Sequence, residues 1–320
     1  MILFLKHRFN SECHFHYRAI IYMSLQNNLP RSESVYGALK SEIIRSFNQA
    51  AASYDNAALL QNVIGERLLE RLDLVKIAPE SILDLGSATG VYSTALQKRY
   101  KSASVIGADL AWSMGAYALQ QRKWFAKQRY ICADGESLPF KDKSFDLVFS
   151  NLMLYWVNDP DKLFSEMQRI LKPGGLIVFT TFGPDTLKEM RQSWAEVDNL
   201  VHVNRFMDMH DVGDSLTKSG FEGVVMDNEN ITLNYDQLAD LHQDLKKLGE
   251  VNINNGRHLG LMGKARWNSY LDAYQQLTTA EGEFPASWEV IYGHAWSTDK
   301  IVPLSTNNGD FLGDIKIRAL

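Results

Sequence analysis

An alternation of strand-like and helix-like runs, which begins at "ILDLGSATGVYSTALQKRY" (residues 82–100), constrains the fold most strongly. An apolar run there meets Asp84, breaks into a short loop bounded by Gly86 and Gly90, and resumes as a helical pattern. "SVIGADL", "RYICAD", "SFDLVFSNL" and "LIVFTTF" follow as strands, with helical patterns between most of them. Such alternation predicts an α/β fold in which helices cover both faces of a parallel sheet.

The flanks of this core are mostly helical in pattern. Apolar spacing over residues 41–74 predicts two helices around "AAASYDNAA", and a helix over "PDKLFSEMQRILKPGG" should stop at Pro173. "GVVMDNENITLNY" and "SWEVIYGHAW" read as later strands. The predicted division is a leader at 1–40, one domain at 41–296 with its core at 80–182, helical cap segments at about 41–75, 183–206 and 236–284, and a tail at 297–320.

Composition narrows the class of protein. The 320 residues carry a formal net charge of -5, whereas nucleic-acid binders are usually basic. Cys13 and Cys132 are too few for a disulfide framework and lack metal-ligand spacing, so we expect a reducing compartment, the cytoplasm. No apolar run approaches the roughly 20 residues needed to span a bilayer. The first 22 residues have no clear period, and Met23 is an alternative start; a disordered leader or a short targeting segment are the other interpretations.

Three carboxylates follow three successive predicted strands. Asp84 lies at the end of the first, Asp109 ends the second, and Asp134 ends the third, so all three should meet at one edge of the sheet. Like charges repel, so this edge would bind phosphate poorly. It suits a ligand with a ribose, an adenine and a cationic amino acid, which favours S-adenosyl-L-methionine over NAD or ATP. The alternative is a tight strand-to-helix turn with no ligand.

Five motifs together resemble those of class I S-adenosylmethionine-dependent methyltransferases. They are "LDLGSATG", "GADL", "ADGESLPF", "FDLVFSNL" and "ILKPGGLIVFTTF", within residues 80–182. The resemblance implies a Rossmann-like sheet of seven strands, the last antiparallel, with the methionine part of the cofactor near Asp84, the ribose on Asp109 and the adenine by Asp134. The implied cofactor-binding set is Asp84, Gly86, Ser87, Gly90, Asp109, Leu110, Asp134, Gly135 and Asn151.

The flanks carry a narrower resemblance, to the malonyl-[acyl-carrier protein] O-methyltransferases of bacterial biotin synthesis. It runs from Phe47 to Trp296 through "FNQAAASYDNAALLQ", "TTFGPDTLKEMRQSWAEVD", "HVNRFMDMHDVGDSL", "LKKLGEVNINNGR" and "EVIYGHAW". It implies methyl transfer to the free carboxylate of malonyl-acyl carrier protein. A mitochondrial arginine hydroxylase that helps assemble respiratory complex I shares much of the pattern. Methylation of another small carboxylate and a non-methylating assembly factor therefore remain alternatives.

A malonyl acceptor requires few catalytic groups from the protein. Its carboxylate is ionised at neutral pH and needs no general base, so the site needs only a cation or donors to hold it. Arg205 in "HVNRF" and Tyr54 in "AASYDNA" are the candidates, with a structural ion pair and plain core packing as the alternatives. Arg191 and Tyr155 are weaker candidates. The histidines at 202, 210 and 242 are too scattered to predict a metal site.

An acidic carrier protein would need local attraction on a chain that is net negative. Residues 246–266 offer it, because Glu250 is the single acid among their basic residues. We predict that the carrier docks on this segment. A solvated charged face is the alternative. The basic residues are Lys246, Lys247, Arg257, Lys264 and Arg266.

Ala88 occupies the position at which many nucleotide-binding loops have a third glycine. A site without a pyrophosphate needs that glycine less, and alanine is tolerated if φ is negative. If φ is positive, Ala88 is strained, and Ala88→Gly should then tighten cofactor binding.

Overall fold

A computed structural model describes residues 38–298, apart from 125, 258, 259 and 261. The alternative start at Met23, most of the predicted leader and all but the first two residues of the predicted tail therefore lie outside the described residues. In the part of the chain that is described, no helix is long and apolar enough to cross a membrane.

A seven-stranded sheet organises the described residues. Its strands are β1 (Ser81–Leu85), β2 (Ser104–Asp109), β3 (Arg129–Cys132), β4 (Phe145–Ser150), β5 (Leu171–Phe182), β6 (Phe221–Tyr235) and β7 (Phe284–Ser297). Their order is β3-β2-β1-β4-β5-β7-β6, with β1 to β5 parallel. Strand β7 lies antiparallel between β5 and β6, so the predicted sheet of seven strands with the last antiparallel is confirmed.

Helices cover both faces of the sheet. They are α1 (Lys40–Ala50), α2 (Tyr54–Ala57), α3 (Leu59–Arg71), α4 (Val91–Arg99), α5 (Trp112–Gln121), α6 (Pro160–Ile170), α7 (Lys188–Ala195), α8 (Met209–Lys218), α9 (Leu238–Leu248) and α10 (Lys264–Gln275). Successive side chains of a strand point to opposite faces of the sheet, so there are two cores. Ile82 belongs to the core that contains buried side chains of α3, α4, α7, α9 and α10, and Leu83 belongs to the core that contains those of α6 and α8. Strand β1 is therefore apolar on both sides, as a covered parallel strand requires.

Two boundaries differ from the sequence prediction. Helix α6 ends at Ile170, before Pro173, because the carbonyls of Arg169 and Ile170 accept hydrogen bonds from the backbone N–H groups of Lys143 and Ser144. The Pro-Gly-Gly segment then falls inside β5, where its register with β4 shifts. Between α9 and α10, the described residues of 249–263 are not helical, because Gly249 at φ 78° ends α9.

Candidate functional site

A cleft opens at the carboxyl ends of β1, β2 and β4, under α1 and α2. We call it the strand-end cleft. Among the residues predicted from the sequence, those that line it are Tyr54, Gly86, Asp109, Leu110, Asp134, Gly135, Asn151 and Tyr155. The structure thus brings together one end of the core motifs and the N-terminal helices, which is where a ligand of a parallel sheet is expected.

The loop after β1 is held against the end of β2. Gly86 and Gly90 have φ of 76° and 82°, and a Cβ atom on Gly86 would lie 2.6 Å from Cβ of Met153. Ala88 has φ 43°, a left-handed conformation that costs an L-residue energy. Its N–H donates to Oδ2 of Asp109 at 2.9 Å. The positive-φ condition set out for Ala88 is therefore met, and Asp109 is the residue that holds it there.

Asp109 is tied down by backbone donors and still lines the cleft. Its Oδ1 accepts from the N–H of Ala111 at 2.8 Å, and burial raises the pKa of its carboxyl to about 6 against the effect of these two hydrogen bonds. Each carboxylate oxygen has a second lone pair, so Asp109 can accept further hydrogen bonds from a ligand.

Three of the predicted cofactor residues do not line the cleft. Asp84 is 2% exposed, and its Oδ2 accepts a 2.5 Å hydrogen bond from the hydroxyl of Ser93. Burial raises the pKa of Asp84 to about 7. Gly90 packs on Tyr130, and the buried hydroxyl of Ser87 has no hydrogen-bond partner among the described residues. None of the three lines the cleft, so their part in ligand binding stays a prediction.

Lys40 is a cleft residue that sequence reasoning missed. Its Nζ lies 2.6 Å from Oδ2 of Asp134 and 2.7 Å from Oε2 of Glu136, and all three side chains are largely buried. The pairs attach α1 to the segment after β3. No motif or spacing singles out this lysine, because its partners lie more than ninety residues along the chain.

A second cavity adjoins the cleft, since Tyr155 and Glu250 line both. We call it the aromatic cavity, after the side chains of Trp194, Trp267 and Trp288 in its wall. The ring of Trp194 stacks on His202 at 3.8 Å between centroids. The indole N–H of Trp288 is buried and has no partner among the described residues. This cavity is therefore mainly apolar, and Trp288 in its wall has a hydrogen-bond donor without a partner among the described residues.

Glu250 lies at the junction of the two cavities. Its Oε1 accepts hydrogen bonds from the hydroxyl of Tyr155 and from Nε2 of Gln61, both at 3.1 Å. Burial raises the pKa of this carboxyl to about 7. The sequence indicated only a lone acid in a basic segment, and gave no sign that it turns inward.

Comparisons with known proteins agree with this geometry. A family model described as a methyltransferase domain matches residues 83–179. The malonyl-[acyl-carrier protein] O-methyltransferase of Methylovorus sp. (strain MP688) is 46% identical over 271 residues, which cover 83% of this chain and 91% of that protein. The protein of the same name from Nitrosospira multiformis is 45% identical over 273 residues, covering 80% and 89%.

The chain belongs to the malonyl-[acyl-carrier protein] O-methyltransferase family. Its fold is also that of the YcgJ protein from Bacillus subtilis, with a TM-score of 0.54 at 16% identity over 73% of this chain and 98% of that one. The predicted recognition and fold class are thus confirmed.

The four residues predicted to bind the acceptor carboxylate do not all lie in the cleft. Tyr54 and Tyr155 line the strand-end cleft. Arg205 is exposed and lines neither the cleft nor the aromatic cavity. Arg191 donates to the carbonyls of Pro184 and Thr186. Of these four candidates, only the two tyrosines line the cleft.

The basic residues predicted to dock the carrier do not form one unpaired patch. Arg257 pairs with Glu42 at 2.6 Å, and Arg266 pairs with Asp198. Lys247 pairs with Asp244 at 3.3 Å. Lys246 is exposed and lines the aromatic cavity, and Lys264 is exposed at the start of α10.

The three histidines at 202, 210 and 242 each bond to a neighbouring side chain. Nε2 of His202 bonds to Asp198 at 2.9 Å, and Nε2 of His242 bonds to the hydroxyl of Tyr270 at 2.9 Å. Burial lowers the pKa of His242 to about 4, so this side chain is neutral near pH 7. Within residues 38–298, as far as they are described, no group of three or more ligating side chains could hold a metal ion.

Proposed function

We propose that this protein transfers a methyl group from S-adenosylmethionine to the free carboxylate of malonyl-acyl carrier protein, in the cytoplasm. The product is the methyl ester that starts pimeloyl chain synthesis for biotin. One observation carries the proposal: the strand-end cleft and the aromatic cavity meet at Tyr155 and Glu250. A cofactor in one and an acyl arm in the other would bring their reacting ends to this junction. The chain's 46% identity to a relative of that name supports the same acceptor.

The donor set of the cleft fits S-adenosylmethionine. Its acidic side chains are Asp109, Asp134, Glu136 and Glu250, while the one cation that lines it among the described residues, Lys40, is already paired. An excess of carboxylates over ammonium groups favours a cationic ligand. When bound, S-adenosylmethionine supplies an electrophilic methyl group on a positively charged sulfur.

Each part of the cofactor has candidate partners. Asp109 would hold the ribose hydroxyls, Asp134 and Gly135 would lie beside the adenine, and the methionine part would lie near Gly86. Asp84 would add negative charge beneath the ammonium group, and Ser87, Gly90, Leu110 and Asn151 complete the set.

The protein's work on the acceptor is to orient it and to exclude water. Tyr54 lies near Glu250 and Asp109, and burial together with these carboxylates raises the pKa of its hydroxyl well above its usual range. The hydroxyl therefore stays protonated and can donate to an acceptor carboxylate. The apolar side chains of Phe47 and Trp156, which contact at 5.1 Å between centroids, cover the same space. Arg205 remains a candidate only for an acceptor that enters from the surface.

The aromatic cavity would take the acyl thioester and the arm that links it to the carrier. The indole N–H of Trp288, which has no partner among the described residues, can donate to a carbonyl of that arm. Lys246 lines this cavity and is exposed, so it is the basic residue best placed to meet the acidic carrier, with Lys247 and Lys264 nearby in sequence. Arg257 and Arg266, being paired, would contribute less.

Growth rescue tests the function in cells. A bacterium that lacks its own malonyl-carrier methyltransferase should grow without biotin when it expresses this chain. Gly86→Val should fail, because its Cβ would lie 2.6 Å from Met153, whereas Gly213→Ala should rescue, because nothing lies within 4 Å of that Cβ. Continued dependence on biotin in cells that hold folded wild-type protein would contradict the proposal.

A further inference from the structure

Glu250 is brought inward by the end of α9. Gly249 adopts φ 78°, and the N–H of Glu250 then bonds back to the carbonyl of Leu245 at 2.9 Å. This turn places a carboxyl between the strand-end cleft and the aromatic cavity. A carboxyl is an unexpected group there, because the proposed acceptor presents a carboxylate at the same junction.

The two oxygens of Glu250 differ. Oε1 accepts from both Tyr155 and Gln61, whereas Oε2 makes no hydrogen bond to a described residue and is not fully buried. A proton on the carboxyl therefore belongs on Oε2, since Oε1 already accepts two hydrogen bonds. In that form Oε2 can donate into the cavity space.

On the assumption of the proposed function, we infer that Glu250 decides how well the acceptor binds. Protonated, it donates from Oε2 to the acceptor carboxylate; ionised, it repels that carboxylate. The proton stays on Glu250 throughout, so the residue selects and positions the acceptor and takes no part in bond making.

The groups that face Glu250 favour the protonated form. Tyr54, Tyr155 and Tyr235 are neutral phenols, because burial and nearby carboxylates raise the pKa of each. Asp109 lines the same cleft and adds negative charge, while Lys246 lines the aromatic cavity from an exposed position. With a pKa raised to about 7, the carboxyl changes charge near neutral pH, and an incoming acceptor carboxylate would favour protonation further.

The test is the pH dependence of kcat/KM for malonyl-acyl carrier protein at saturating S-adenosylmethionine, from about pH 6 to about pH 9. For the wild type we expect a fall of about tenfold per pH unit above the Glu250 pKa, carried by KM of the acceptor. Glu250→Gln cannot ionise and keeps a donor, so its profile should stay flat and exceed the wild type by about a hundredfold at the alkaline end. Glu281→Gln, at an exposed position, should follow the wild type.

Parallel profiles for the wild type and Glu250→Gln would overturn the inference. If Glu250→Gln does not fold, the affinity of the wild-type protein for two carriers is measured against pH instead. Affinity for malonyl-carrier should fall with rising pH. Affinity for a carrier with a neutral malonamoyl group should not. Equal pH dependence for both ligands would also overturn it. Absence of methyl ester at every pH would instead refute the proposed function, and the inference with it.

Discussion

The hydroxyl of Tyr155 donates a hydrogen bond to Oε1 of Glu250 at 3.1 Å, and the two side chains separate the strand-end cleft from the aromatic cavity. The Tyr155 ring is itself fixed by Phe182 and Phe206, at 5.1 Å and 5.6 Å between centroids. A polar contact on an aromatic cluster thus defines where the two proposed substrates meet. The predictions below follow from this junction and from the contacts around it.

The stability effect of Glu250→Gln should depend on pH. The folded-state pKa of Glu250 is raised to about 7, above the usual value of 4.5, so the folded state binds more protons between these values and loses stability as pH rises through them. Each pKa unit corresponds to about 1.4 kcal/mol. The Tm of Glu250→Gln minus that of the wild type should therefore increase from about pH 5 to about pH 8. A difference that is constant with pH would show that Glu250 titrates normally.

Lys40→Met should destabilise the fold strongly. The change leaves Asp134 and Glu136 unpaired at largely buried positions, and loss of one partner of a buried pair costs about 3 kcal/mol. Arg45→Met is the matched control on the same helix, since that side chain is 68% exposed and lies 3.8 Å from Glu42; it should change stability by less than about 0.5 kcal/mol. Urea unfolding measures both, and equal effects would contradict a structural role for Lys40.

Ala88→Gly should tighten the binding of S-adenosylmethionine. Ala88 has φ 43°, and relief of about 1 kcal/mol of left-handed strain corresponds to about fivefold in affinity if the loop must hold this conformation to bind. Ala111→Gly is the control, because Ala111 lines the same cleft at φ -90° and carries no such strain. Isothermal titration calorimetry compares the two. Weaker binding by Ala88→Gly would show that the strain does not limit affinity.

Lys246→Glu should weaken use of the carrier protein but not of the cofactor. Reversal of an exposed charge beside the aromatic cavity should raise KM for malonyl-carrier by about threefold to tenfold at low salt, and the difference should shrink at high salt. Lys218→Glu, exposed on α8, is the control. Steady-state kinetics at two salt concentrations decide, and equal KM values for both variants would place docking elsewhere.

What the sequence predicted well depends on local pattern. The strand that contains Asp84, the loop from Gly86 to Gly90 and the strand that ends at Asp109 are visible because apolar periodicity and glycine spacing act over a few residues. The number of strands and the antiparallel last strand came from the resemblance to a family.

The features that sequence reasoning missed depend on contacts between distant parts of the chain. Lys40 and Asp134 are 94 residues apart, and Arg257 and Glu42 are 215 apart, so no local pattern reveals either pair. The basic segment therefore looked like one docking surface, although two of its arginines are in ion pairs. Glu250 turns inward because Gly249 ends α9, a consequence of backbone conformation that a charge count does not register.

Intact-protein mass spectrometry of the carrier tests the central claim most directly. Purified protein, S-adenosylmethionine and malonyl-acyl carrier protein are incubated together, with acetyl-carrier, which lacks the free carboxylate, as the matched control. The account predicts that malonyl-carrier gains the mass of one methyl ester, that mild base removes it, and that acetyl-carrier stays unchanged. An unmodified malonyl-carrier in the presence of protein that binds S-adenosylmethionine, or equal methylation of both carriers, would contradict it.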